Sequence, residues 1–554
     1  MLYTELINKI SFGVSLMAEE EKIPTLFVRK ASGLVRPLGL MAIIVMSMSF
    51  CIGMGINVFT INASYWYPGC QMWLAYLIGA IPFITASIVY AWLAGIMPRS
   101  GSSYVVLTRL ANPVLGYVLS FGYWFMDAFV AGLVVYSSVS IWGLALFQAG
   151  IFTHNPGLVS IGTWLQTTRA MIIIGSILCI TITIISNLPL KIVYYVMAFL
   201  WIVPLIGGAL MIGLLLAHIP FNPTLYKSLW DGIFGAGAYD EVFKVAIANG
   251  WSTEKSSLTF SMSSTLIAVT TAAFAYGTPS AITQGVAGEI KAPLKSYVKG
   301  TLISIIVVLA YYVILSWAVY AACDPFLSAY TYVMLGGYGD QLKISPRLSP
   351  NTAVFTMPYA IQIHPILAII IAISVAFWLS NVALPIFLMC SRFAFAWSFD
   401  RMFPEKLSWV STRLRSPVVS NIVTGIIMTI GGYIMTFTPY LATLNIVFFW
   451  AFMDSMICLT AAIMPWTHPD FYERSPKYEV GGIPIMSIIA IIGFAFEFWL
   501  VWLAISGFKG MYGLPMWSHI MVYVVGLIIF MAYCIINRKR GIMVRDIYAQ
   551  IPPE

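Results

Sequence analysis

Residues 39–63 read GLMAIIVMSMSFCIGMGINVFTINA, an uncharged apolar run interrupted at mid-depth by Gly53-Met54-Gly55 and Asn57. About 20 apolar residues suffice for a helix to cross a bilayer, so the run reads as a membrane span. Glycine weakens a helix interior, and the span is expected to break around Ile52 and Gly53. A break frees backbone N–H and C=O groups, and hydrocarbon offers them no partner. The break must therefore face protein or a watery cavity.

Eleven further apolar runs follow, at 70–95, 113–140, 169–187, 192–217, 262–286, 299–322, 361–391, 418–437, 440–464, 485–507 and 516–536. With the first they make spans one to twelve, in chain order. They are too long for the alternating strands of a membrane barrel, so the expected fold is an all-α polytopic membrane protein. The whole composition agrees: 554 residues, 60% hydrophobic, 9% charged, mean hydropathy +0.89. A soluble enzyme, a disordered chain and a disulfide scaffold are excluded, since soluble domains run near a quarter charged.

The net charge of +8 does not point to nucleic acid. Most basic residues, among them Arg36, Arg99, Arg109, Lys291, Lys295, Arg392, Arg401, Arg415, Arg538 and Arg540, fall on the face that holds the N-terminus. The positive-inside rule then places both termini in the cytoplasm and the chain in the cell membrane. No long apolar stretch precedes span one, so no cleaved signal is expected; Met17 is an alternative start that the mass of the native N-terminus would decide. The expected organisation is a cytoplasmic tail at 1–38, five spans over 39–217, an outer loop at 218–260, five spans over 261–464, two more over 465–537 and a tail at 538–554. Residues 323–360 read as a second outer segment of caps or short surface helices. The seven cysteines form no framework, although Cys70 and Cys323 stand at outer helix ends where a bridge is conceivable.

Three acids lie within spans: Asp127, Asp454 and Glu497. A charge at mid-membrane costs several kcal/mol on insertion scales. Each is therefore a substrate or proton site, or a carboxyl hydrogen-bonded to a neighbouring helix; for Glu497 the interhelical bond is the preferred reading. Span six also carries breakers, Phe274-Ala275-Tyr276-Gly277-Thr278-Pro279-Ser280. Paired broken helices in corresponding halves mark transporter binding sites, and a half-helix N-terminus offers free N–H groups to a carboxylate. In span eight, Ser380 and Asn381 could give oxygens to substrate or Na⁺, or serve as polar glue between helices. No phosphate-binding loop or zinc motif is present, and the five histidines are scattered, so no cofactor, metal or enzymatic chemistry is expected.

Four stretches resemble the amino acid–polyamine–organocation (APC) superfamily of secondary transporters. They are Gly53-Met54-Gly55-Ile56; Met97-Pro98-Arg99-Ser100-Gly101 with Pro113 to Gly116; Phe274-Ala275-Tyr276 with Gly288-Glu289-Ile290-Lys291-Ala292-Pro293; and Ser391-Arg392 with Asp400 and Pro404. The resemblance implies a five-plus-five inverted repeat, as in the leucine-transporter fold, with two helices appended. It implies a substrate held between spans one and six and flanked by three and eight. The backbone of Ile52–Gly55 would take its carboxylate and that of Phe274–Gly277 its amino group. The ring of Phe274 or Tyr276 would shutter the outer side. Asn57 stands where the family usually has Phe. Trp201 occupies the approximate place of a lysine that mimics a bound cation in some members, which leaves Na⁺ near span one and Ser380, or a proton on Asp127 or Asp454. The implied function is ion-coupled amino acid transport by alternating access, with a polyamine carrier, an exchanger and a channel as rivals. The oligomeric state stays open.

Overall fold

The computed structural model describes residues 27–28, 32–278, 285–291, 294–438, 445–512 and 517–553. Met17, Pro279, Ser280, Ala292, Pro293 and the first residues expected in span ten lie outside them. Among the described residues, eleven helices are long and apolar enough to cross a membrane. Span six is shorter: a helix over Met262–Tyr276 that stops at Gly277, not at 286.

Several boundaries move. Span three runs Pro113–Phe152, twelve residues past the expected end at 140, because Ile141–Phe152 continues the apolar run without a proline or a charge. Asn112 starts it cleanly, its side chain accepting from the N–H groups of Val114 and Leu115. The expected span eight divides at His364 into the end of a buried helix, Thr352–Ile363, and the span itself, Pro365–Phe399. The break falls there because Pro365 restricts the residue before it to extended backbone. Span seven is longer than expected, Leu294–Cys323.

Burial sorts the spans. Residues of span one are 89% buried over its most apolar window, whereas in spans four (Thr168–Ser186) and twelve (Trp517–Lys539) the figure is 22%. Ile173, Ile177, Ile180 and Ile184 recur at helical spacing on the exposed side of span four. Such a stripe is normal where the solvent is hydrocarbon. Broken spans one and six are therefore enclosed, with two (Met72–Ile96), five (Leu190–Leu216), seven, eight and ten (Ile446–Thr467) against them.

Spans three and nine (Val418–Phe437) cross backbone to backbone. A Cβ on Gly132 would stand 2.1 Å from the Met428 carbonyl oxygen and 2.6 Å from the Gly432 Cα. Small residues permit such close crossings in membranes. Opposite the basic face, Pro223–Phe234, Ala238–Ala248 and Phe326–Leu335 form a cap around buried Trp230. Asp324 ties that cap together, accepting from the N–H and hydroxyl groups of both Ser257 and Ser328. Burial raises its carboxyl above the ordinary range, against the pull of those donors. All seven cysteines are free, so the conceivable Cys70–Cys323 bridge is not formed.

Replacing Gly132 with leucine should cost about 1–3 kcal/mol by overpacking, read as a lower melting temperature of the protein in detergent; an unchanged melting temperature would contradict the tight crossing.

Candidate functional site

Span one is two helices joined by an irregular turn. Leu40–Cys51 ends at Ile52, which is extended (φ −78°, ψ 99°). A wide turn over Gly55–Phe59 follows, and then Thr60–Trp66. Span six ends at Gly277 with φ +53°, a conformation that glycine adopts without strain. The two breaks touch. A Cβ on Gly55 would lie 2.4 Å from the Ala275 Cα, and one on Gly277 would lie 2.4 Å from the Phe50 ring.

Most carbonyls freed by the breaks are recaptured. The Tyr312 hydroxyl of span seven lies 2.6 Å from the Cys51 oxygen and 2.8 Å from that of Ala275, so one donor serves both halves. Cys51 Sγ reaches the Tyr276 oxygen at 3.1 Å, Thr60 Oγ1 donates to Gly55 at 3.2 Å, and Asn57 Nδ2 donates to Gly53 at 2.9 Å. The Gly53 N–H and the Phe274 carbonyl have no bonded partner among the described residues. On the span-one break the Met54, Gly55 and Ile56 N–H groups are likewise without a partner among the described residues, so open donors lie on one break and an open acceptor on the other.

The expected site residues divide. Ile52, Gly53, Met54, Gly55, Phe274, Ala275, Tyr276 and Gly277 come together at the breaks. The Phe274 ring meets Phe59 at 4.7 Å and Trp450 at 5.9 Å between centroids. Tyr276 is fixed instead. Its ring stacks on Phe83 at 4.4 Å and its hydroxyl donates to the Tyr76 carbonyl. Asn381 donates to Ser49 Oγ of span one at 2.8 Å, and its Oδ1 is unpartnered. Its neighbour Ser380, about 100° around the helix, donates to Ala376 and accepts from Trp142 Nε1 at 3.2 Å, on the side of span three.

Asp127 meets span ten. Trp450 Nε1 donates to its Oδ1 at 3.0 Å, and Oδ2 has no partner. Asp454 accepts from Tyr90 at 2.5 Å and from Thr278, just past the end of span six. The interhelical bond preferred for Glu497 is not formed in the described structure; the residue lines a cavity beside Asp454. Asn57 has a role that its sequence position did not announce. While its Nδ2 caps Gly53, its Oδ1 accepts from Thr352 at 2.9 Å, tying the helix Thr352–Ile363 to the break. Only its place at a position usually occupied by Phe hinted at it.

The basic face is sealed by buried ion pairs. Arg392 of span eight grips Glu289 through two bonds, 2.8 and 3.1 Å, with both side chains 2% exposed or less. Arg109 pairs with Asp400 at 2.7 Å and lies over the Tyr548 ring. Backbone bonds from Gly101 to Gly285 and from Lys291 to Leu38 stitch the surrounding loops together. The spacing of these motifs was visible in the sequence; their pairing was not.

A helical membrane protein with two apposed broken spans has the architecture of a transporter. The amino acid permease family profile matches residues 38–532. The chain belongs to that family, within the APC superfamily, and is a multi-pass membrane protein. No curated protein sequence matched it.

Changing Arg392 to alanine should strand the buried Glu289 carboxylate at a cost of about 3–5 kcal/mol. Pairing R392M with E289L should restore most of that loss in the same thermal unfolding assay; if the single variant melts like the parent, the pair is not a structural seal. Gly53→Leu, whose Cβ would meet the Val382 side chain at 3.1 Å, should insert and remain monodisperse while losing amino acid uptake, and uptake at the parent rate would remove the span-one break from the site.

Proposed function

We propose that the protein is an ion-coupled secondary transporter of amino acids in the cell membrane, working by alternating access. The observation that carries this reading is the pair of breaks, which meet at Gly55 and Ala275 and leave N–H groups on one, Gly53 among them, and the Phe274 carbonyl on the other without a partner among the described residues. An α-amino acid carries a carboxylate for the Gly53 N–H and an ammonium group for the Phe274 carbonyl. Asn381 Oδ1 supplies a further acceptor. The basic face is cytoplasmic, with both termini on it, by the positive-inside rule.

The Glu289–Arg392 and Arg109–Asp400 pairs close the cytoplasmic side. Beside the breaks the cavity is only about 20 Å³, so an amino acid enters only when the Phe59–Phe274–Trp450 cluster parts. Release inward requires the ion pairs to separate. The two seals thus alternate, and no covalent step is involved. The coupling ion is H⁺ or Na⁺, moved down its gradient with the membrane potential at about 2.3 kcal/mol per charge per 100 mV.

A cationic substrate is a second reading, favoured by the unpartnered Oδ2 of Asp127, which could pair with an extra amine.

Uptake of labelled amino acids into proteoliposomes, with a competition panel under imposed H⁺ or Na⁺ gradients, should saturate with substrate. Flux that rises without saturation would indicate a channel instead. Asp127→Asn should abolish uptake of cationic amino acids and spare neutral ones if the second reading holds; equal loss of both would discard it.

A further inference from the structure

Between spans ten and eleven (Ile485–Tyr512), beside the end of span six, lies a cavity with two carboxyl groups on its wall and no lysine or arginine. Asp454 is 1% exposed and Glu497 4%. The two differ in surroundings. Asp454 accepts two hydroxyl donors, Tyr90 and Thr278. Glu497 faces the cavity with no hydrogen bond or ion pair among the described residues. The space of about 20 Å³ suffices for one water, which needs roughly 10–15 Å³.

Donors aimed at a carboxylate favour its charged form, and a like charge nearby disfavours a second one. Asp454 is therefore the fixed anion, and Glu497, without donor or cation, holds a proton. The other elements around span ten offer nothing to neutralise a second charge. Span three contributes Tyr123 and Asp127, span six Tyr276, and span ten itself Cys458. Arg109, in the helix Ser102–Leu110, is committed to Asp400. Span twelve brings His519 and Tyr523 against Phe448, at the other end of span ten.

We propose that this cavity is the coupling-proton site, with Glu497 as carrier, Asp454 as fixed charge and Thr278 as the link to the span-six break. It deepens the transport reading above and rests on it for the identity of the driven substrate. The step is a simple proton transfer. The Glu497 O–H bond breaks, the proton passes to the cavity water and leaves by the open side, and the electron pair stays on the carboxylate. Two anions then share the cavity, and their repulsion is relieved when span six moves and takes the Thr278 hydroxyl with it. Reprotonation from the opposite side restores the packed state. Asp454 already accepts two O–H donors, so few oxygens remain to ligate Na⁺.

The test uses the full-length protein. Infrared difference spectra across a pH titration, in lipid without substrate, should show a protonated-carboxyl C=O band that vanishes in E497Q. In D454N, where the neighbouring anion is gone, that band should titrate at lower pH. In proteoliposomes given a mixture of labelled amino acids, a one-unit inward pH gradient should drive up to about tenfold accumulation for one proton per substrate. E497Q should reduce the ratio to about one and make exchange insensitive to pH. A band that persists in E497Q, or accumulation by E497Q equal to the parent, overturns the proposal, as does accumulation that follows Na⁺ and ignores pH. Should no amino acid be carried at all, the transport reading fails, while the infrared titration still decides the site. E497Q is nearly isosteric, and monodisperse elution of the variant confirms that it folds.

Discussion

Everything in this structure depends on one requirement: a backbone polar group inside a membrane must find a partner within the protein. An unsatisfied group costs several kcal/mol in hydrocarbon. Breaking two spans at their middle creates such groups deliberately. The Tyr312 hydroxyl, the Asn57 amide, the Cys51 thiol and Thr60 then recapture them one by one. What they leave open is a set of N–H groups on the span-one break and the Phe274 carbonyl on the span-six break. The enclosure of spans one and six follows from the same requirement, since a broken helix cannot face lipid.

That enclosure has consequences for motion. The breaks approach so closely that Gly55 has room for no side chain against Ala275. Span one also holds the helix Thr352–Ile363 through Asn57 and Thr352, and span eight through Ser49 and Asn381. Movement of the break is therefore transmitted to that helix and to span eight together. On the basic side, two buried ion pairs form a seal that is costly to leave half-made and tolerable when both partners leave together. Closed packing on that side and an aromatic cluster on the other describe a sealed state.

The three acids within spans show how far residue type alone carries. Each marked a place where a charge must be managed, and the structure gives each a different answer. Asp127 turns to Trp450, Asp454 collects two hydroxyls, and Glu497 receives none. The contrast between the last two depends on which neighbours the packing of spans two, six and eleven brings. No spacing along the chain encodes it. Ser380 and Asn381 make the same point: adjacent in sequence, they face different helices because one residue turns the helix by about 100°.

The sequence by itself determined that this is a polytopic helical membrane protein, because hydrocarbon admits so few ways to satisfy a backbone. It also determined where two spans break, because glycine is read locally, and it marked the family through motifs in fixed order. Only the tertiary structure decided how far spans three and eight extend, that Cys70 and Cys323 stay unbridged, and that Glu289 is held by Arg392. It alone showed Tyr312 serving both breaks and Asn57 joining the helix Thr352–Ile363 to the span-one break. These are contacts between residues tens to hundreds of positions apart, set by how the helices pack, and local hydropathy carries no record of them.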